Sequence, residues 1–292
     1  MPIRTETLAT IGARRLPSRA EAILAIARHE LHGALRGKMV PAFAALFAVL
    51  AVGIALAGLG ASGQLLVQGF TRTSVSLLTL ALYLLPLLGA VLGASAFGGE
   101  DGATELLLAQ PIGRGEALLG RAAGLYAALA GVAFAGFGAA GALVAATAGT
   151  VGLRGFALSA LGATAVGCVG LGAGVLVGVL VRRRTSAVGW ALAAWFSAAV
   201  LYDLAAIAVL QLFGTGEPGP WLVALLAANP IDGVRAVALV GLGADVLLGP
   251  TGAALQRLLG PGGGSLYILA TLGAWLVVPP ALATVVYRRR DF

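Results

Sequence analysis

The chain has 292 residues, of which 59% are hydrophobic and 11% charged, with a mean hydropathy of +0.97. A soluble protein carries about 25% charged residues, so polar side chains here are too few to coat a water-soluble fold, and lipid must solvate much of it. The formal charge of +7 gathers at the edges of apolar runs, which marks membrane-flanking residues and excludes a nucleic-acid surface.

Residue counts remove further classes. Cys168 is the sole cysteine, so an internal disulfide and a cysteine-based zinc site are excluded. His29 and His32 both precede the first long apolar run, which leaves no histidine to line a metal channel. Lys38, the only lysine, lacks the glycine spacing and neighbouring hydroxyl of a phosphate-binding loop. No catalytic or metal-binding residues are expected in this chain.

The first predicted element is an amphipathic helix. Ser18 and Glu21 form a capping box, and Ala20, Ile23, Ala27, Leu31 and Ala34 recur on one face. Such a helix is expected to lie along the membrane surface. Arg19, Glu21, Arg28, Glu30 and Arg36 interrupt it, so it does not read as a cleaved signal. His29 and His32 sit one turn apart on it, as part of its solvated polar face or, alternatively, as a metal site.

About 20 apolar helical residues cross a hydrocarbon core of about 30 Å. Six such runs follow: Val40 to Gly60, Ser74 to Phe97, Ala122 to Gly149, Phe156 to Val181, Ala187 to Phe213 and Leu266 to Tyr287. They are continuous, without strict alternation, so the fold class is an all-α membrane bundle and not a barrel. Pro86 and Pro279-Pro280 are expected to bend the second and sixth spans. Gly170, Gly174 and Gly178 on the fourth span, and Gly89 with Gly93 on the second, are small-residue packing stripes.

Placing both termini in the cytoplasm puts fifteen of the 19 basic residues inside, including Arg114, Arg121, Arg182 to Arg184 and Arg288 to Arg290. The domain division is then a cytoplasmic segment, 1–39, and a six-span domain, 40–292. The latter contains a cytoplasmic loop, 98–121, and an external segment, 214–265. Within the external segment, Trp221 to Leu248 is apolar but broken by Asn229-Pro230-Ile231-Asp232 and Arg235, and reads as interfacial or re-entrant helices.

Three places offer functional side chains. In the loop Glu100-Asp101-Gly102-Ala103-Thr104-Glu105-Leu106-Leu107-Leu108-Ala109-Gln110-Pro111, Asp101 caps a short helix, acidic residues suit its first turn, and Pro111 helps end it. Leu106, Leu107 and Leu108 must then enter the membrane surface or a groove on a partner. On the external side, Asn229 caps a helix with Pro230 at its first position, and Arg235 can pair with Asp232. The stretch is either a helix start or a docking surface. Asp203 is the ionisable residue deepest in a predicted span. It is a pathway or dimer-interface group, or a carboxylate bonded to Tyr202, a nearby hydroxyl or water.

The run from Gly99 to Arg121, acidic at Glu100 and Asp101, then Gly102-Ala103-Thr104, leucine-rich at Leu106-Leu107-Leu108, with Pro111 and the basic Arg114 and Arg121, resembles the loop between the second and third spans of type 2 ABC exporter permeases. The amphipathic start, six spans and the ending Tyr287-Arg288-Arg289-Arg290-Asp291-Phe292 extend the resemblance over essentially the whole chain. It implies that Glu100, Asp101, Thr104, Glu105, Leu106 to Leu108 and Pro111 form a coupling helix docked on an ATPase subunit. It also implies a homodimer joined by two cytoplasmic ATPase subunits in a bacterial or archaeal inner membrane. ATP and magnesium then bind in the partner, with no cofactor in this chain.

The stretch Ala228-Asn229-Pro230-Ile231-Asp232-Gly233-Val234-Arg235, followed by Leu248-Gly249-Pro250, is similar to the permease of the ABC system that matures nitrous oxide reductase. That resemblance implies a periplasmic accessory protein as a partner, docked near Asn229, Pro230, Asp232 and Arg235. The six runs hold no methionine or histidine and only Cys168, which argues against a copper(I) path through them. Two alternatives follow: export of another species, such as a sulfur-containing one, or conformational work on an external partner. A different ABC exporter and a scaffold that transports nothing are further alternatives.

Overall fold

In the second and fourth spans, glycine replaces bulkier side chains where two backbones must meet. A Cβ placed on Gly93 would lie 2.5 Å from the carbonyl oxygen of Leu171, and one on Gly174 would run into the carbonyl of Ala90. The two small-residue stripes face each other, so these spans pack backbone to backbone. Among the described residues this contact is the most extensive, and it forms the axis of the bundle.

A computed structural model describes residues 18–60, 69–99, 113–181, 183–213, 224–226, 228–242 and 263–289. Among them the chain is helical, with no strand. The elements are α1 (Arg19–Arg36), α2 (Met39–Gly60), α3 (Gly69–Phe97), α4 (Arg114–Ala148), α5 (Leu153–Leu180), α6 (Arg184–Phe196), a π-helical turn (Ser197–Leu201), α7 (Tyr202–Phe213), α8 (Pro230–Gly241) and α9 (Gly263–Arg289). Six helices are long and apolar enough to cross a membrane: Met39–Gly58, Thr73–Phe97, Arg114–Thr147, Leu153–Leu180, Arg184–Val209 and Leu266–Arg289. They coincide with the six expected runs. The fifth comprises α6, the π-helical turn and the start of α7.

The third span begins earlier than expected. Glu116 accepts the backbone N–H of Gly113 at 3.2 Å, and Ala117 and Leu118 are buried, so helix starts at Arg114 and the segment 114–121 is not loop. At about 1.5 Å per residue the 35-residue α4 is about 52 Å long, well beyond a hydrocarbon thickness of about 30 Å. Its overhang lies at the end of the bundle where Arg184, Arg288 and Arg289 also stand, here called the basic end.

Helix α1 packs along that overhang. Ser18 and Glu21 form the expected capping box, with Ser18 N–H donating to Glu21 Oε2 at 2.7 Å and Glu21 N–H to Ser18 Oγ at 3.3 Å. The buried side of α1 centres on Ala22 and Ile26, with Ile23, Ala27 and Leu31 half-buried and Ala20 exposed. Gly120 and Gly124 of α4 admit this face, because a Cβ on Gly120 would meet Ile26 at 2.7 Å and one on Gly124 the Ala27 carbonyl at 2.5 Å. The expected membrane-surface helix is thus seated on a protein surface. His29 and His32 are exposed, and His32 Nδ1 lies 2.7 Å from the Arg28 carbonyl.

Burial is unequal among the spans. In its most apolar window the fourth span is 61% buried and the fifth 6%. The fourth is therefore the centre of this chain, while the fifth presents Trp190, Leu201, Leu204 and Ile207 outward, to lipid or to another protein.

Candidate functional site

At the basic end, Arg121 joins three helices. Its Nε is 3.4 Å from Oε2 of Glu30 on α1, its terminal nitrogen donates to the Ala96 carbonyl of α3 at 2.6 Å, and its guanidinium carbon lies 4.8 Å from the Phe97 ring centroid. Ala96 is in the last turn of α3, where carbonyls lack intrahelical partners and the helix dipole favours a cation. Phe97 also meets Tyr287 of α9 edge to face, with centroids 6.5 Å apart. After Phe97 the chain leaves α3 through Gly99, whose φ of 104° is open to glycine. The Arg121 joint therefore grips both ends of the segment that connects the second and third spans.

Glu100, Asp101, Thr104, Glu105, Leu106, Leu107, Leu108 and Pro111 all fall between these ends and lie outside the described residues.

At the opposite end a second polar cluster assembles around Arg235 of α8. One terminal nitrogen is 2.9 Å from Asp232 Oδ1 and 3.7 Å from Asp203 Oδ2; the other donates to the Tyr83 hydroxyl of α3 at 3.1 Å. The expected Asp232 pairing is present. Asp203 sits just past the π-helical turn near the far end of its span, and its partner is a guanidinium brought in by α8, a reading the sequence did not offer. Asn229 accepts the Ile231 N–H at 3.1 Å as the cap of α8, with Pro230 at the first position. Its amide also donates to the Ala198 carbonyl at 2.8 Å and to Asp232 Oδ2 at 3.0 Å.

Asn229 is only 3% exposed, and Asp232 and Arg235 turn toward the bundle. The polar groups expected to present a docking surface are thus engaged within the chain. The Tyr202 hydroxyl donates to the Leu225 carbonyl, and Trp195 Nε1 donates to the Tyr83 carbonyl at 3.0 Å, completing the cluster. Asp232 lies outside the six spans. Burial, and next the nearby Asp203 carboxylate, push its carboxyl up to about 7, against the pull of Arg235.

Beneath the first turn of α8 lies an apolar cavity of about 410 Å³, bounded by Pro86, Gly170, Trp195, Ala198, Ile231 and Trp275. It lies between the middle of the fifth span and the second and fourth. Among the described residues no group of three or more His, Cys, Asp or Glu gathers to hold a metal. Sequence reasoning did not find Arg121, Tyr83 or Trp195. The available signals were an arginine seven residues after Arg114, and one tyrosine within the apolar second span.

Residues 24–292 match the family described as ABC-2 family transporter protein. The chain is 38% identical over 286 residues to a protein of Stutzerimonas stutzeri described as probable ABC transporter permease protein NosY, covering 91% of this chain and 97% of that one. It is 36% identical over 272 residues to a protein of the same description from Pseudomonas aeruginosa, with the same two coverages. With six apolar spans and a family match across nearly its whole length, the chain belongs to the ABC-2 transporter family and is an ABC transporter permease.

Proposed function

We propose that this permease, as a homodimer in a bacterial inner membrane, couples ATP hydrolysis in two separate cytoplasmic ATPase subunits to movement of its spans. ATP and magnesium bind in those partners. The basic end faces the cytoplasm, in keeping with the distribution of arginine, and α8 faces the periplasm.

The observation that carries this reading is the Arg121 joint. Any displacement of the segment 100–112 must pass through α3 and α4, which Arg121 fastens to each other and to α1. A partner pushing on that segment would therefore move two spans and the N-terminal helix together. The segment's resemblance to a coupling helix supplies the docking element, with Leu106, Leu107 and Leu108 as its apolar face.

The process served is the maturation of the copper site of nitrous oxide reductase, by export or by conformational work on a periplasmic partner. The similarity to two proteins named NosY supports that assignment. Cys168 within the spans and Met39 at the start of the first are too few soft ligands for a copper(I) path through the bundle. Replacing Leu106 to Leu108 with aspartate tests the docking role: ATPase co-purification is expected to fall to background while membrane insertion persists, and retained co-purification would refute it. Flux into vesicles holding the whole complex then separates export from conformational work.

A further inference from the structure

The far half of the fifth span is attached in an unusual way. Near the basic end, α6 rests on α3 and α5 through small buried residues, Ala187 and Ala191 against Ala90 and Ala94. The extensive packing of α7 is confined to the π-helical turn from which it grows. Leu204, Ile207 and Leu212 are 59%, 54% and 74% exposed, so among the described residues little apolar burial holds α7 in place. The 410 Å³ cavity lies beside the end of α6 and the π-helical turn, lined there by Ala194, Trp195 and Ala198 and reaching α7 only at Tyr202, so the turn has free space on its bundle side.

Polar atoms make the attachment instead. Helix α8 is fixed to α3, α5 and α9 by Ile231, Val234, Ala236 and Leu239. From that base Asn229 reaches the Ala198 carbonyl inside the π-helical turn, and Arg235 reaches Asp203 just beyond it. A π-helical turn often marks a functional hinge in a helix. The Arg235–Asp203 pair, at 3.7 Å with side chains 26% and 32% exposed, is open enough to water to be breakable.

We propose that Arg235 and Asn229 form a releasable clasp that holds the far half of the fifth span to the bundle, with the π-helical turn Ser197–Leu201 as its hinge. Arg235 is a positioning residue: it acts on α7 through Asp203 while Tyr83 and Asp232 hold its guanidinium. Use of this clasp during transport rests on the permease reading, but the clasp itself exists without nucleotide.

The test uses the whole complex without nucleotide, in a Cys168→Ser background, with spin labels at Leu212→Cys on α7 and Leu266→Cys on α9. Labelled chain is diluted with unlabelled chain so that one labelled copy is read per assembly. One narrow distance is expected with Arg235 intact. Arg235→Gln should raise the population of a separated state by up to about fivefold, the scale of a partly exposed ion pair, and Asp203→Asn, which breaks the same pair from the α7 side, should raise it to a similar degree.

An unchanged 212–266 distance in Arg235→Gln, or in Asp203→Asn, overturns the clasp. A second pair, Phe134→Cys with Leu161→Cys, reports on the bundle. If Arg235→Gln disperses that distance too, Arg235 is a general folding residue and the clasp fails. Failure of the permease reading would show differently, as absent ATPase association with the 212–266 result intact.

Discussion

Arg121 and Glu30, 91 positions apart, meet with Nε 3.4 Å from Oε2, while the same guanidinium donates to the Ala96 carbonyl at 2.6 Å. Their side chains are 15% and 22% exposed, so water screens this pair less than a surface pair. By contrast, Arg19 and Glu116 approach to 3.3 Å but Arg19 is 91% exposed, and that pair contributes little to the same α1–α4 contact. The seating of α1 therefore depends on Arg121 and on the glycines beneath Ile26 and Ala27.

Replacing Arg121 by alanine removes the charged hydrogen bond to Ala96, the ion pair and the contact with Phe97 at once. A loss of about 2 kcal/mol is expected, read as a lower denaturation midpoint of the purified protein. Arg121→Lys is expected to recover less than half, because one ammonium does not reproduce the planar fork. Glu30→Gln should be mild, about 1 kcal/mol or less, since the Ala96 and Phe97 contacts survive. Equal losses in Glu30→Gln and Arg121→Ala would show that the α3 contacts contribute nothing.

The glycine crossing between α3 and α5 predicts position-specific intolerance. Gly93→Ala and Gly174→Ala each place a methyl group where a backbone already lies, and overpacking of this kind costs about 1–3 kcal/mol. Gly131→Ala and Gly273→Ala meet nothing within 4 Å and should be neutral. Thermal stability in one detergent, measured for all four, checks the contrast. Similar losses at all four positions would mean that helix flexibility, and not close approach, explains the glycines.

The six spans were legible because each is a continuous apolar run matching the hydrocarbon thickness. The capping box of α1 and the cap of α8 were legible because their signals are local, Ser18 with Glu21 and Asn229 with Pro230. Long-range placement was not. The glycine stripes could be seen separately, but nothing in their spacing says that Gly93 faces Leu171. Arg121 reads as loop because the apolar run starts only at Ala122, whereas Glu116 capping Gly113 starts the helix before it. Asp203 looked isolated because its partner, Arg235, arrives only when α8 folds back over the fifth span.

That return of α8 predicts a dependence on pH. Asp232 has a folded-state pKa raised from 3.8 to about 7, with burial the main cause and the Asp203 carboxylate the next. Arg235 and Asn229 oppose the shift, and Tyr83 and Tyr202 face the same cluster from α3 and α7. A raised carboxyl pKa favours the protonated form in the fold, so its contribution to stability is fully present below the unfolded value and is lost as pH rises to about 7. Stability of the unsubstituted protein should therefore fall across that window relative to Asp232→Asn, which lacks the titration. Asp203→Asn removes the second cause of the shift and should narrow the window from its upper end. Parallel pH profiles for the unsubstituted protein and Asp232→Asn would show that Asp232 stays ionised in the fold.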